Sequence, residues 1–292
     1  MQAPYISIII PTYKDWDRLT LCLNALADQT YPRGSFEVIV VNNNPDSRAQ
    51  TFKVPEGFKL VTELRSGSYA ARNAGVHLAQ GEIIGFTDSD CIPDRDWIKN
   101  AVSHFQNNKA CSRIAGRVVV FSKTDSPTAA EKYDKLFSFR QQRYVVESGT
   151  CVTANLFTYK HVFNAVGLFN DNQFSFADLH WGMKAHEAGY RIDYVDNVII
   201  NHPARNWHEL VKKEKRLGGG IGQSERGTKR VTFLKIMNEY RPRLAEIKFV
   251  FGKSKGLNLI DKFVLLLMRH YLLGIRAYEK FRVQLGKDPN RA

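Results

Sequence analysis

The segment GEIIGFTDSDCIP carries a hydrophobic run straight into two carboxylates, Asp88 and Asp90, one residue apart. Hard oxygen ligands at i and i+2 beyond a strand end suit Mg²⁺ or Mn²⁺, a cation of the kind that stabilises charge gathering on a departing diphosphate. Alone, such a triplet is more often an ordinary turn. The four cysteines, Cys22, Cys91, Cys111 and Cys151, lack CxxC or zinc-ligand spacing. That argues against a disulfide framework and a structural zinc site, and fits a reducing cytosol.

Elements must hold those carboxylates in place. Short β-branched runs recur at residues 5–10, 36–41, 59–63, 82–87 and 117–121, and helical patterns at 18–29 and 69–79 lie between several of them. Strands alternating with helices imply βαβ units and a mostly parallel sheet, an α/β chain whose ligands bind beyond the carboxyl ends of the strands. That rule points to the loops 11–14, 42–46 and 88–90. The apolar run 6–10 stops at Pro11 and reads as a buried first strand, not a signal peptide. Beyond residue 125 the alternation is lost. Residues 129–146 read as one charged, aromatic-rich helix, a helix at 178–188 ends at Gly189, and a strand covers 191–201. Residues 207–216 read as a basic helix, followed by a mobile hinge at Gly218, Gly219, Gly220 and Gly222 and a tail with two helical patterns.

The 292 residues are 43% hydrophobic and 24% charged, ordinary for a folded domain with an appendage, and the net charge is +13. Residues 1–200 hold 21 basic and 21 acidic side chains, whereas residues 201–292 hold 21 against 8. The excess therefore belongs to the tail, which has no helix-turn-helix, RNP or zinc-finger pattern, so no specific nucleic-acid partner is expected.

In order, PTYK, VVNNNPDS, GSYAARNAGVHLAQGEIIGFTDSDCIP, VGLFND, FADLHWGMKAHEAGY and NHP resemble the family 2 inverting glycosyltransferases of the GT-A fold, over roughly residues 4–205. The resemblance implies a Rossmann-like central sheet flanked by helices over 1–205, with a nucleotide-sugar half at about 1–124 and an acceptor half at about 125–205. A basic, helical C-terminal extension then covers 206–292. It implies transfer from a nucleoside-diphosphate sugar, UDP-linked by expectation, to a hydroxyl of a glycan or lipid-linked acceptor. Pro11, Thr12 and Tyr13 match the loop against base and ribose, Asn42 and Asn43 follow the second strand, and Arg72 and Asn73 match the ARN segment beneath the donor. Asp88, Ser89 and Asp90 match the donor and metal loop, with Asp90 the principal ligand of Mn²⁺ or Mg²⁺, Asp88 beside it and His202 a further ligand. Asp178 matches the general base at a helix start, with Ala177, His180 and Trp181 around the acceptor and Trp181 a candidate stacking floor for a sugar.

Four positions depart from the family pattern. Ala177, His180 and Lys184 stand where an acid, a second acid and an arginine are usual around the base, and Asn42 replaces the usual base-reading Asp. A non-catalytic nucleotide- or sugar-binding module is the alternative these departures motivate. A nucleotidyltransferase is disfavoured, because PTYKDWD has no Gly-rich phosphate loop.

In the tail, Ile260, Val264, Leu267, Tyr271, Ile275, Tyr278, Phe281 and Leu285 recur at helical steps, with Lys262, Arg269, Arg276, Lys280 and Lys287 on another side. Such a helix is expected at an anionic membrane surface, its basic residues meeting lipid heads, or else packed on the catalytic domain or a second copy. Charges interrupt every window long enough to span a bilayer. The expected location is the cytoplasm, peripheral on the inner face of the plasma membrane.

Overall fold

The structure, a computed structural model, describes residues 3–44, 51–226, 244–254 and 256–290. Positions 45–47 of the NNNPDS loop and the tail segment 231–243 lie outside the described residues. The chain divides into two compact units, one of Met1–Val119, Phe139–Asp171 and Ala177–His202, the other of Val120–Ser138, Asn172–Phe176 and Pro203–Ala292.

The first unit is built on an eight-stranded sheet. Its strands are β1 (Ile6–Thr12), β2 (Phe36–Asn42), β3 (Phe58–Thr62), β4 (Ile83–Thr87), β5 (Ile92–Pro93), β6 (Arg113–Phe121), β7 (Asn155–Tyr159) and β8 (Ile192–Pro203), in the order β3-β2-β1-β4-β7-β6-β8-β5. β3, β2, β1 and β4 are parallel, as helical crossovers between them require, and β7 turns antiparallel against both β4 and β6. β1, β2 and β4 are buried along their whole length, which explains why they read as unbroken apolar runs instead of alternating.

The two faces of the sheet divide the core. Ile6, Ile8 and Ile10 of β1 face α1 (Trp16–Ala27), through Leu19, Cys22, Leu23 and Leu26, and α3 (Trp97–Asn107), through Trp97, Ile98 and Phe105. On the other face, Ile9, Ile39 and Val41 meet α2 (Ser68–Leu78), while Val162 and Phe163 of α6 (Lys160–Val166) and Trp181 and Ala185 of α7 (Ala177–Glu187) complete that layer. The period-2 alternation of the strand side chains thus clamps the sheet between helices, and the register Thr12↔Asn42↔Thr62 brings three strand ends level at one edge.

The expected single helix over 129–146 is broken. α4 (Ala129–Phe137) and α5 (Gln141–Ser148) are separated by Phe139 at φ +50°, a left-handed conformation that no helix continues through.

The second unit is helical. α4 begins with a reciprocal capping box between Thr128 and Glu131, and α8 (Trp207–Glu225) with another between Asn206 and Glu209. α9 (Leu244–Lys253) and α10 (Leu259–Gln284) follow, and Leu265 and Leu272 of α10 join Ala130, Tyr133 and Leu210 in a separate core. The glycines expected to form a hinge instead continue α8 as helix and are buried. A Cβ on Gly218 would stand 2.4 Å from the Arg276 carbonyl oxygen, and one on Gly222 would stand 2.7 Å from that of Lys280. Glycine is present there because the α10 backbone lies directly against α8, which no side chain would allow.

Candidate active site

The carboxyl ends of β1, β2 and β4 carry the expected residues. Asp88, Ser89 and Asp90 follow β4, and each carboxylate has a basic side chain beside it. Arg72 Nη2 lies 2.5 Å from Asp88 Oδ1, and His202 Nε2 lies 3.2 Å from Asp90 Oδ2, with Arg18 Nη1 3.8 Å from that oxygen. Ser89 reaches Asp15, 3.5 Å away. β8 delivers His202, which is 1% exposed and packed against Phe139 at 4.7 Å between ring centroids.

α2 is the organising element. Tyr69, Arg72 and Asn73, at i, i+3 and i+4, share one face of the helix. The Tyr69 hydroxyl donates to Asp178 Oδ1 at 2.9 Å, Arg72 pairs with Asp88, and Asn73 exchanges hydrogen bonds with the Phe169 backbone in both directions, 2.8 and 3.1 Å. A single helix thus grips the carboxylate loop, the start of α7 and the VGLFND turn. Asp178 also accepts from the Thr153 N–H at 3.2 Å and from the Leu179 N–H at 3.0 Å. It is 8% exposed, so three donors fix a carboxylate that is almost wholly enclosed.

Other expected residues fall differently. Pro11 and Thr12 are buried, whereas Tyr13 is 60% exposed. Asn42 is buried and folds onto its own turn, donating to the Asn44 carbonyl and accepting from the Asn44 N–H. Asn43 is a clasp, donating to the Glu63 and Arg65 carbonyls and accepting from the Gly67 N–H just ahead of α2. Ala177 is buried and His180 half-buried. The sugar-floor expectation for Trp181 is corrected. Its ring stacks on Phe163 at 4.5 Å, its Nε1 donates to the Gly167 carbonyl, and 2% exposure leaves no face for a ligand.

Tyr69, Arg18 and Thr153 were not singled out from sequence. Tyr69 left a signal in its helical spacing from Arg72. Arg18 and the Thr153 N–H left none, because their roles come from distant parts of the chain.

Four buried polar atoms around the strand ends and α2 have no hydrogen-bond partner: Thr12 Oγ1, Asn44 Nδ2, Arg72 Nε and Thr87 Oγ1. Each such atom costs roughly 1–3 kcal/mol if left unsatisfied, so this edge is chemically suited to a polar ligand. The donor set also suits a divalent cation. Asp90, Cys91 and His202 present ligand atoms within 4.8 Å of one another. Burial, with Asp90 and Asp88 nearby, pushes the Cys91 thiol well up and keeps it protonated, which leaves a hard oxygen and an imidazole nitrogen as donors.

A second cluster, His104, Cys111 and Asp193, is already internally bonded. Asp193 is held by His104 at 3.0 Å and Arg191 at 2.9 Å, and burial followed by the Asp193 charge pushes the Cys111 thiol up to about 12. All four cysteines are free and buried.

Residues 7–167 match the family described as glycosyl transferase family 2. Glycosyltransferase AglE of Haloferax volcanii is 35% identical over 225 residues, 74% of this chain and 73% of the relative. The mannosyltransferase PcManGT from Pyrobaculum calidifontis, solved with GDP-Man and Mn²⁺, superposes with a TM-score of 0.62 at 19% identity, covering 98% of this chain and 88% of that one. TarS 1–349 of Staphylococcus aureus, solved with UDP-GlcNAc, gives a TM-score of 0.55 at 17% identity, covering 97% and 92%. By sequence, the poly(ribitol-phosphate) β-N-acetylglucosaminyltransferase TarS matches over 105 residues at 32% identity. That is 33% of this chain and only 18% of the relative.

Proposed function

Because the chain belongs to glycosyl transferase family 2, we propose that it transfers a sugar from a UDP-sugar to a hydroxyl of a glycan or lipid-linked acceptor with inversion, using Asp178 as general base. What carries the reading is α2, whose one face ties the Asp88 loop to Asp178 through Arg72 and Tyr69. The carboxylate next to the leaving group and the carboxylate next to the nucleophile are thereby held by one rigid element, as an in-line displacement needs.

In this mechanism Asp178, fixed by Tyr69, Thr153 and Leu179, accepts the acceptor hydroxyl proton as the oxygen attacks the anomeric carbon. The new C–O bond forms while the bond to the diphosphate breaks, its electron pair leaving with the nucleoside diphosphate and the anomeric configuration inverting. Thr12, Asn44 and Thr87 offer buried polar atoms to the nucleotide side, and Asn42 and Asn43 hold the loop that shapes it. Asp90 and His202, with Asp88 beside them, would hold a Mn²⁺ or Mg²⁺ ion, which would supply charge neutralisation at the diphosphate.

The test is nucleoside diphosphate release from a panel of nucleotide sugars with Mn²⁺ or Mg²⁺ and lipid-linked or oligosaccharide acceptors, comparing the native protein with Asp90→Ala and Asp178→Asn. Metal-dependent release from one donor, lost in the first variant and strongly reduced in the second, is the expected result. Nucleotide binding without turnover for any donor and acceptor pair would reassign the chain as a binding module.

A further inference from the structure

The surface of the second unit is unusual for a charged helical unit. Six residues of α10 are exposed, Leu259, Ile260, Phe263, Leu267, Tyr271 and Tyr278, and all six are large and apolar. Leu285, just past the helix, is another. At about 100° per residue, Ile260, Phe263, Leu267, Tyr271, Tyr278 and Leu285 fall within an arc of about 80°. α9 exposes Leu244, Ile247 and Phe251, and Trp207 of α8 rests on Tyr271 at 5.6 Å.

Three of the basic residues expected to meet lipid heads do not share this face. Arg269, Arg276 and Lys280 turn to the other side and are bound by Glu246, Glu214 and Glu225 at 3.0, 2.6 and 3.0 Å. These three pairs, with Leu265 and Leu272 buried beneath, fix the rotation of α10 so that its apolar stripe points outward. Exposed cations lie instead at Lys248 and Lys253 of α9 and at Lys287 beyond α10.

We infer that this face docks on an anionic lipid bilayer, with α10 lying in the plane of the interface and its stripe immersed below the headgroups. Charge decides between bilayer and second copy. Residues 201–292 carry 21 basic against 8 acidic side chains, so two copies would bring like-charged surfaces together, whereas acidic headgroups complement both the stripe and its cationic surroundings. The narrow arc fits an immersion of about 5–10 Å and no more. Tyr271, Tyr278 and Trp207 are amphipathic rings of the kind that sit at the headgroup level. Among the described residues no helix is long and apolar enough to cross a membrane. The inference goes beyond the proposed reaction and does not depend on it.

The test is co-sedimentation of the full chain with phosphatidylcholine vesicles, with and without phosphatidylglycerol. The native protein is compared with Phe263→Glu/Leu267→Glu and with Leu64→Glu as a control at an exposed position of the first unit. Point substitutions are preferable to truncation, because α10 supplies part of the second unit's core. The expected result is binding to anionic vesicles that weakens with salt, falls by about tenfold or more in the double variant and is unchanged in the control. All three proteins should keep the same thermal midpoint. Failure of the native protein to bind anionic vesicles overturns the inference, as does equal binding by the double variant. A native dimer that the double variant turns into a monomer, with vesicle binding unaltered, would assign the face to a second copy. Nucleoside diphosphate release without lipid reports the reaction separately.

Discussion

Tyr69→Phe isolates the link between α2 and the proposed base. The substitution removes one hydroxyl and leaves the ring, which is 6% exposed and 6.0 Å from Phe169, so packing is preserved. What is lost is one of the three hydrogen bonds that hold Asp178. A hydrogen bond to a charged group is worth about 1.5–3 kcal/mol, and about 1.4 kcal/mol is a factor of ten in rate. The loss of kcat is therefore bounded at roughly a hundredfold, and about tenfold is expected because the Thr153 and Leu179 N–H groups still orient the carboxylate. The donor KM should change by less than about twofold, since Tyr69 acts through the base. The decisive assay is a double-mutant cycle on nucleoside diphosphate release. If Tyr69 works only by positioning Asp178, adding Tyr69→Phe to Asp178→Asn costs nothing further. Multiplying losses would refute the reasoning, and so would a single Tyr69→Phe variant that keeps native kcat.

Other parts of the structure give further expectations. Asp90→Ala and His202→Ala should each lower Mn²⁺-dependent turnover by about a hundredfold or more, and titration calorimetry should show weakened Mn²⁺ binding in both. Burial opposes ionisation of Glu37, but hydrogen bonds from Lys59, the Gln80 N–H and Ser7 outweigh it and hold its carboxyl below the ordinary value. Its contribution is therefore present above the unfolded value and lost as pH falls through the folded one. Glu37→Gln should cost about 1–3 kcal/mol at neutral pH and flatten the loss of stability on acidification, read from urea unfolding at several pH values. Gly218→Ala should lower the thermal midpoint, because the new Cβ meets the Arg276 carbonyl oxygen. A flexible hinge would instead gain up to about 1 kcal/mol from alanine's helix preference, so the sign of the change separates the two pictures.

β1, β2 and β4 were legible in sequence because burial on both faces leaves continuous apolar runs ended by turn residues. The Asp88 loop was legible for the same reason, as a strand end is where such a run meets polar residues. α7 was readable from its cap at Gly189, where φ is +84°. What was not legible depends on distant partners. The break at Phe139 is one backbone torsion inside a pattern that otherwise continues as a helix. Trp181 reads as a sugar platform beside a base until Phe163 and Phe169 are seen to enclose it. The glycines of α8 have the composition of a loop, and only the approach of a helix more than fifty residues later explains Gly218 and Gly222. The basic residues of α10 follow a regular period, but whether they face solvent or Glu214, Glu225 and Glu246 is decided by packing.

The shared face of α2 also bears on how readily the chain can be given a new donor. A substitution at Arg72 or Asn73 made to suit another sugar nucleotide also shifts the platform on which Tyr69 stands, so it disturbs the proposed acceptor side as well. Tyr13, exposed on the loop after β1, has no such attachment. Libraries that vary this loop and keep α2 fixed should therefore yield altered donor preference with turnover intact, whereas libraries on α2 should yield mostly inactive chains.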